Sequence, residues 1–405
     1  MTAPLIVALG LLGAGLPSTA FAQHHGDEES TVVAEPVPLE EPRPASRIPG
    51  LFENGNVSAT WGGRLYNDLG FFSADDGFPG DTEDGFDFRA ARLFAGIKLF
   101  DTVEGKAEFD FAGKDADFKD VYMKFPSPIG PLTVGHHKQP FSLEEQTSSR
   151  FITFMERSSV VQAFSPSRDN GISSGGSLGE DTNWALGLFR RTDDGANGAS
   201  DGDLVTTGRV THAFGEGADV VHLGLSASMW AGQDVSFGAD PEAHLVDDVI
   251  STGTVTSDGV SLYGLEGAWV NGPLSLQGEF IQSSIDEFAG GGDVDLNGFY
   301  AFVSWFLTGE SRNYKSGKFD RITPNANWDG SGFSGGAWEL ALRLTAVDFD
   351  EATGREVTNL TAGVNWYLNP NARIMLNLLQ SNVDDSGAGI DDDMTALMMR
   401  FQIDW

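Results

Sequence analysis

The chain has 405 residues, with 25 Lys and Arg against 59 Asp and Glu, a formal net charge of -34 and no cysteine. That balance excludes nucleic acid as a partner, because a phosphate backbone demands a basic face, and a chain without cysteine crosses an oxidising compartment with no disulfide to make. The 51 Gly and 29 Phe suit many short strands, tight turns and aromatic girdles.

Residues 1–22 read as a secretory signal peptide. Leu5 to Leu16 is an apolar core too short to span a bilayer, and Ala20-Phe21-Ala22 is a small-x-small cleavage site. Cleavage would leave Gln23-His24-His25, read as a solvated polar start rather than a Cu(II) or Ni(II) site. Residues 23–55 carry Pro36, Pro38, Pro42, Pro44 and Pro49, which forbid helix and central strand alike. They are expected to form a disordered Pro/Glu-rich periplasmic tether ahead of a barrel domain over 56–405.

From Val57 the chain becomes a succession of segments of about ten residues with period-two hydrophobicity. Val57, Ala59, Trp61, Leu65, Leu69 and Phe71 share one face, and Ser58, Thr60, Arg64, Tyr66 and Asp68 the other. Ala91, Leu93, Ala95, Ile97 and Leu99 alternate with Arg92, Phe94 and Lys98; Val103, Ala107, Phe109 and Phe111 alternate with Glu104, Lys106, Glu108 and Asp110. Further strands are expected to begin near Lys119, Pro131, Gly171, Thr182, Asp203, Val220, Val260, Pro273, Asp295, Gly336, Arg355, Asn371 and Asp393. The fold class is therefore all-β, a transmembrane antiparallel β-barrel of about sixteen strands. Short turns such as Asn271-Gly272-Pro273 and Asn369-Pro370-Asn371 alternate with long acidic stretches at Ala74–Gly85, Thr192–Asp203 and Ser381–Asp392, read as external loops. No apolar run after the signal approaches about 18 residues, which excludes a helical membrane protein. The chain ends on TALMMRFQIDW, a closing strand with Leu397, Met399, Phe401, Ile403 and Trp405 on one face.

One stretch breaks the rhythm. Pro131–Gly171 opens as a strand and then does not turn back for about thirty residues, far beyond the usual loop. It carries Lys138, Arg150, Arg157 and Arg168, with Phe141, Phe151, Phe154 and Phe164 between them. The aromatics need a dry place to pack and the cations need water or an anion. A loop folded inward into a wet barrel, pinned by its apolar residues, meets both needs and would narrow the pore.

The same stretch, with Gly135, Lys138, Pro140-Phe141-Ser142-Leu143-Glu144-Glu145, Thr147-Ser148-Ser149, Ile152 to Ser158 and Phe164-x-Pro166-x-Arg168, resembles the phosphate-selective porin O and P family. Tyr300–Arg312 followed by Tyr314, Gly317, Phe319, Ile322 and Pro324, then Gly336–Arg343 and Val364–Pro370, extend the resemblance over most of 57–405. The closing Trp405 resembles the C-terminal signal of outer-membrane barrels. The resemblance implies a homotrimer in the outer membrane of a Gram-negative bacterium, surrounded by its lipid and passing phosphate. One departure is Asp240-Pro241-Glu242, where relatives have Arg-Pro-Glu; it removes one anion contact.

Alternation and the long loop place nine cations toward the pore: Arg64, Arg92, Lys98, Lys106, Lys124, Lys138, Arg150, Arg157 and Arg168. Arg grips phosphate oxygens two at a time and Lys acts as a mobile point charge. The bland reading of these residues is internal pairing, Lys106 with Glu104 or Glu108 and Arg157 with Glu156 or Glu144. His136 and His137 are adjacent on a strand and point to opposite faces, so they do not make one site. No catalytic triad spacing or phosphate-cradling Gly loop is present, and neither metal nor cofactor is expected. The expectation is a water-filled channel for phosphate, polyphosphate or other small anions. The alternatives are a weakly selective or cation-preferring porin and, more remotely, an outer-membrane barrel enzyme.

Overall fold

The computed structural model describes residues 56–405 apart from Lys114, residues 192–203 and Gln233. The signal and tether readings of residues 1–55 and the acidic stretch 192–203 lie outside the described residues.

Alternation does produce a barrel. The first strands are β1 (Val57–Ala74), β2 (Gly85–Leu99), β3 (Val103–Asp110), β4 (Asp117–Phe125) and β5 (Leu132–Lys138). After α1 (Leu143–Gln146) and α2 (Ser159–Phe164) come β6 (Arg168–Leu178), β7 (Thr182–Arg190), β8 (Leu204–Glu216) and β9 (Asp219–Ala231). A small pair, β10 (Gly238–Ala239) and β11 (Ile250–Ser251), precedes β12 (Gly259–Asn271), β13 (Leu274–Asp286) and β14 (Val294–Phe306). A hairpin, β15 (Asn313–Lys315) and β16 (Lys318–Asp320), precedes β17 (Ala337–Phe349), β18 (Arg355–Asn369), β19 (Ala372–Asp385) and β20 (Ile390–Asp404). All but the two small pairs join in one closed antiparallel barrel of sixteen strands, sealed by β1 against β20.

The physical cause is visible in β9. Val221, Leu223, Leu225 and Met229 are exposed, whereas His222, Ser226 and Ser228 are buried. A soluble sandwich would show the reverse, so hydrocarbon lies outside and the polar interior lies within. At the seam the Gly63 N–H donates to the Trp405 carbonyl and the Trp405 N–H to that of Gly63, each at 3.1 Å. Gly63 is required there, since a Cβ would run into the Trp405 ring.

Both strand ends near the termini share one rim with the turns at Gly272-Pro273 and Pro370-Asn371, which makes that rim periplasmic. Two loop expectations need correction. Ser381–Asp392 is mostly strand: Asp384 pairs with Asp391 and Val383 with Asp392, and only residues 386–389 turn. Charged residues are tolerated there because the strand ends stand above the hydrocarbon. The rule of short periplasmic turns also fails once, because residues 307–336 form a long connection at the periplasmic rim.

That connection enters the lumen, as do the loop 139–167 and the segment 232–258 from the outer rim. Val160, Val161 and Phe164 pack with Phe237, Val246, Phe349 and Val357, so two loops build a dry core inside the barrel. Leu143 and Phe319 pack with Val220 and Val270 below it.

Candidate functional site

The loop 139–167 is shaped locally by two caps. Ser142 Oγ accepts from the Glu145 N–H at the start of α1, and Ser158 Oγ from the Val161 N–H at the start of α2. Its placement is set by the barrel. The N–H groups of Leu143 and Glu144 donate to the Glu279 carboxylate at 2.9 and 2.7 Å. Further along, wall side chains take its backbone carbonyls in turn. Gln402 donates to Arg150 O at 3.0 Å, Arg373 to Ile152 O at 2.8 Å, Asn365 to Thr153 O at 2.8 Å and Arg343 to Glu156 O at 3.1 Å. Arg400 donates to Met155 O and pairs with both Asp68 and Glu156. A loop with so many carbonyls bound has little freedom.

Segment 232–258 braces the same loop from above. Arg343, fully buried, lies 2.6 Å from Glu242 and 3.4 Å from Glu144. Thr345 and Thr361 donate to Glu242 at 2.6 and 2.9 Å. Glu242, the Glu of this stretch that the family pattern shares, is therefore a strut to the far wall. Burial raises the Glu144 carboxyl against the pull of Arg343. Burial alone would raise Glu145 too, but Arg157 and Lys138 hold it below its ordinary range.

On the other side of the loop, toward β1–β6, lies a cavity of about 290 Å³. Arg64, Arg92, Lys106, Lys124, Lys138, Arg150, Arg168 and Lys318 line it, with Asp120 as the one carboxylate of the lining. Tyr122, Thr133, His137, Ser148 and Ser149 add polar surface. Seven of the nine expected cations thus converge. Arg64 is held by Glu108 at 2.8 Å and Ser149 at 2.9 Å, and Arg92 by Asp110 at 2.6 Å. Lys106 bridges Glu108 at 2.6 Å and Asp120 at 2.7 Å, and Arg168 meets Asp120 at 2.7 Å. Lys138 pairs with Glu145 at 2.8 Å, and Arg150 reaches Asp404 at 3.5 Å while lying over the Phe151 ring. Lys124 leans over Tyr122 and forms no ion pair among the described residues.

The two remaining candidates are elsewhere. Arg157 is absorbed by the loop itself, pairing with Glu145 at 3.0 Å and donating to the carbonyls of Glu144 and Thr147. Its carboxylate partner is Glu145, not Glu144 or Glu156. Lys98 sits near the periplasmic rim with Asp101 and Glu104 at 3.9 and 3.8 Å. The two histidines separate as expected: His137 lines the cavity and bonds Ser173 at 2.6 Å, while His136 bonds Lys119 O.

Two charged lining residues were not anticipated, Asp120 and Lys318. Asp120 gained its place by standing between Lys106 and Arg168, neighbours from two other elements. Lys318 arrives on the periplasmic hairpin, and burial together with Arg209 and Lys124 lowers its affinity for a proton. The hairpin is anchored by the Arg209–Glu266 fork, from which Arg209 also donates to Gly317 O at 2.8 Å, and by Tyr314 against His222 at 2.7 Å. Its sequence signal was the turn Ser316-Gly317, both at positive φ, between Lys315 and Lys318.

A cavity with guanidinium, ammonium and hydroxyl donors and one carboxylate suits a multiply charged oxyanion. The family model for phosphate-selective porin O and P matches residues 60–405. Porin O of Pseudomonas aeruginosa is 27% identical over 395 residues, covering 84% of this chain and 87% of its own. Among solved structures, the anion-selective porin of Comamonas acidovorans superposes with a TM-score of 0.54 at 15% identity, covering 86% of this chain and 100% of that one. The trimer form of OmpT from Vibrio cholerae also reaches 0.54, at 11% identity and with 86% and 99% coverage. At such identities the two structures attest the barrel fold.

Proposed function

Since the chain belongs to the phosphate-selective porin O and P family, we propose that its outer-membrane barrel is a channel for phosphate-type anions, phosphate or polyphosphate, and that the cavity under loop 139–167 is its filter. The observation that carries this reading is the lining: eight cations with Asp120 the one carboxylate among them, and with Glu108, Asp110, Glu145 and Asp404 paired behind. The overall charge of -34 opposes it. Charges on hydrated rims are screened within about 10 Å at 0.1 M salt, whereas a charge at a narrow, partly desolvated place acts several times more strongly. The filter therefore outweighs the rim.

In this reading an anion is handed among Arg64, Lys106, Lys124, Lys138, Arg150, Arg168 and Lys318, with Asp120 keeping the site from holding it too tightly. The reaction is passage, without catalysis. The test is the reversal potential across a salt gradient in a planar bilayer. Anion selectivity is expected, with chloride current reduced when phosphate is added. A cation-selective sign ends the reading and favours a weakly selective or cation-preferring porin; lipid or peptide hydrolysis with no stepwise conductance would favour an enzyme.

The assembly we propose is a homotrimer. Strands β3, β4 and β5 have 8, 9 and 7 residues. At about 3.4 Å per residue and a tilt near 40° they climb only about 18–23 Å, short of an apolar band about 25 Å tall. A wall too short for lipid is served by a neighbouring copy. Mass measurement in mild detergent should give three chains; a monomer overturns this.

A further inference from the structure

We propose that residues 325–336 form a membrane foot, a loop that leaves the lumen, folds over the periplasmic rim and seats its aromatic tip in the inner-leaflet phospholipid. The observations concern four rings. Trp338 on β17 and Trp366 on β18 face each other in register on the outward face of the barrel and stack at 5.0 Å. Trp366 is nevertheless only 8% exposed, because Trp328 and Phe333 of the connection lie against it at 5.4 and 5.5 Å. Phe333 at the tip is left 72% exposed.

The loop is built to hold that pose. The Trp328 N–H donates to Leu368 O at 2.7 Å and the Gly336 N–H to Ala326 O at 2.8 Å. Both indole N–H groups are satisfied within the loop, Trp328 Nε1 by Gly332 O and Trp366 Nε1 by Gly335 O, each at 3.1 Å. A tip exposed to water gains nothing from such ordering around an unburied Phe.

Three features choose lipid as the occupant. The aromatic patch is continuous with the membrane-facing belt, since Leu340, Leu342 and Leu360 stand outward and exposed on the same two strands. Between Ile322 and Trp338 the chain has no cation and one carboxylate, Asp329, so no charged partner is selected. β17 and β18 have 13 and 15 residues, long enough to cross the hydrocarbon, and they lie far around the barrel from the short wall β3–β5. Aromatic rings with a satisfied polar edge are the side chains that settle at a membrane interface.

The chain has no native cysteine, so one nitroxide can be placed cleanly. Phe333→Cys would be spin-labelled in the full-length protein in phosphatidylethanolamine vesicles, with Leu342→Cys as a belt control and Asn371→Cys as a turn control. Collision with oxygen should exceed collision with a water-soluble nickel chelate at 333, as at 342 and opposite to 371. Nickel accessibility at 333 equal to that at 371, with 342 still reading lipid, overturns the foot while leaving the barrel intact. Spin–spin broadening at 333 that vanishes on dilution with unlabelled chain also overturns it, because the tip would then touch a second copy. Phe333 is exposed, so its replacement leaves the fold in place.

Discussion

The two sides of this barrel use buried charge in opposite ways. On the side of β12–β18, carboxylates and guanidiniums are matched to one another and to loop backbone: Arg343 to Glu242 and Glu144, Glu279 to the N–H groups of α1. The result is rigidity. On the side of β1–β6, short strands and the hairpin bring more cations than acids to one open cavity. In the proposed reading that surplus is available to a solute. A buried charge, then, is structural when its partner is protein and functional when its partner must come and go.

Breaking the rigid side should have the largest effect. Arg343→Met strands Glu242 and Glu144 without their counter-ion, a loss of about 3–5 kcal/mol for one partner of a buried pair. Unfolding in urea, followed by tryptophan fluorescence, should shift to clearly lower denaturant while the sign of selectivity survives. A variant as stable as the parent would show that the matched charges do not hold the loop.

On the open side the expected effect is on permeation, with little cost in stability. Arg150→Glu should lower the anion-to-cation permeability ratio by on the order of tenfold, which corresponds to about 1.4 kcal/mol. Lys138→Gln should lower it less, since it removes one charge where Arg150→Glu exchanges a positive for a negative one. If neither changes the reversal potential, the filter lies off the loop and on wall residues such as Arg64 and Arg92.

The smallest effect sharpens the comparison at the brace. Asp240 hydrogen-bonds Gln162 of α2 at 3.0 Å, and burial and the neighbouring Glu156 raise its carboxyl to about 7. Below about pH 4 folded and unfolded chains both hold this proton; between there and about 7 only the folded chain does. Stability from this group is therefore full at low pH and declines as pH rises toward 7. Asp240→Asn should flatten that decline in a melting-temperature series from pH 4 to 8; an unchanged slope would rule the group out.

The barrel was legible because its rule is local. Lipid outside and water inside force each strand to alternate, and each expected start lies within a few residues of a strand. The inward loop was legible because cations and phenylalanines together rule out both strand and external loop. The brace was not: in the sequence Asp240-Pro241-Glu242 shows only the loss of one anion contact, until the fold brings Arg343 beside Glu242. The periplasmic hairpin was hidden for a similar reason, since two three-residue strands carry no periodicity. Arg157 shows the limit from the other direction, a cation of the right loop whose donors are consumed by that loop's own carbonyls.

The closing strand carries a consequence for biogenesis. Arg400, Gln402 and Asp404 of β20 hold Met155, Arg150 and Arg321, so the inward loop gains its last grips only once the final strand is in place. An insertion intermediate with an open seam would hold this loop from β13 and β17–β19 but leave the carbonyls of Arg150 and Met155 unheld. Sealing the wall and completing the anchorage of the inward loop are therefore one event.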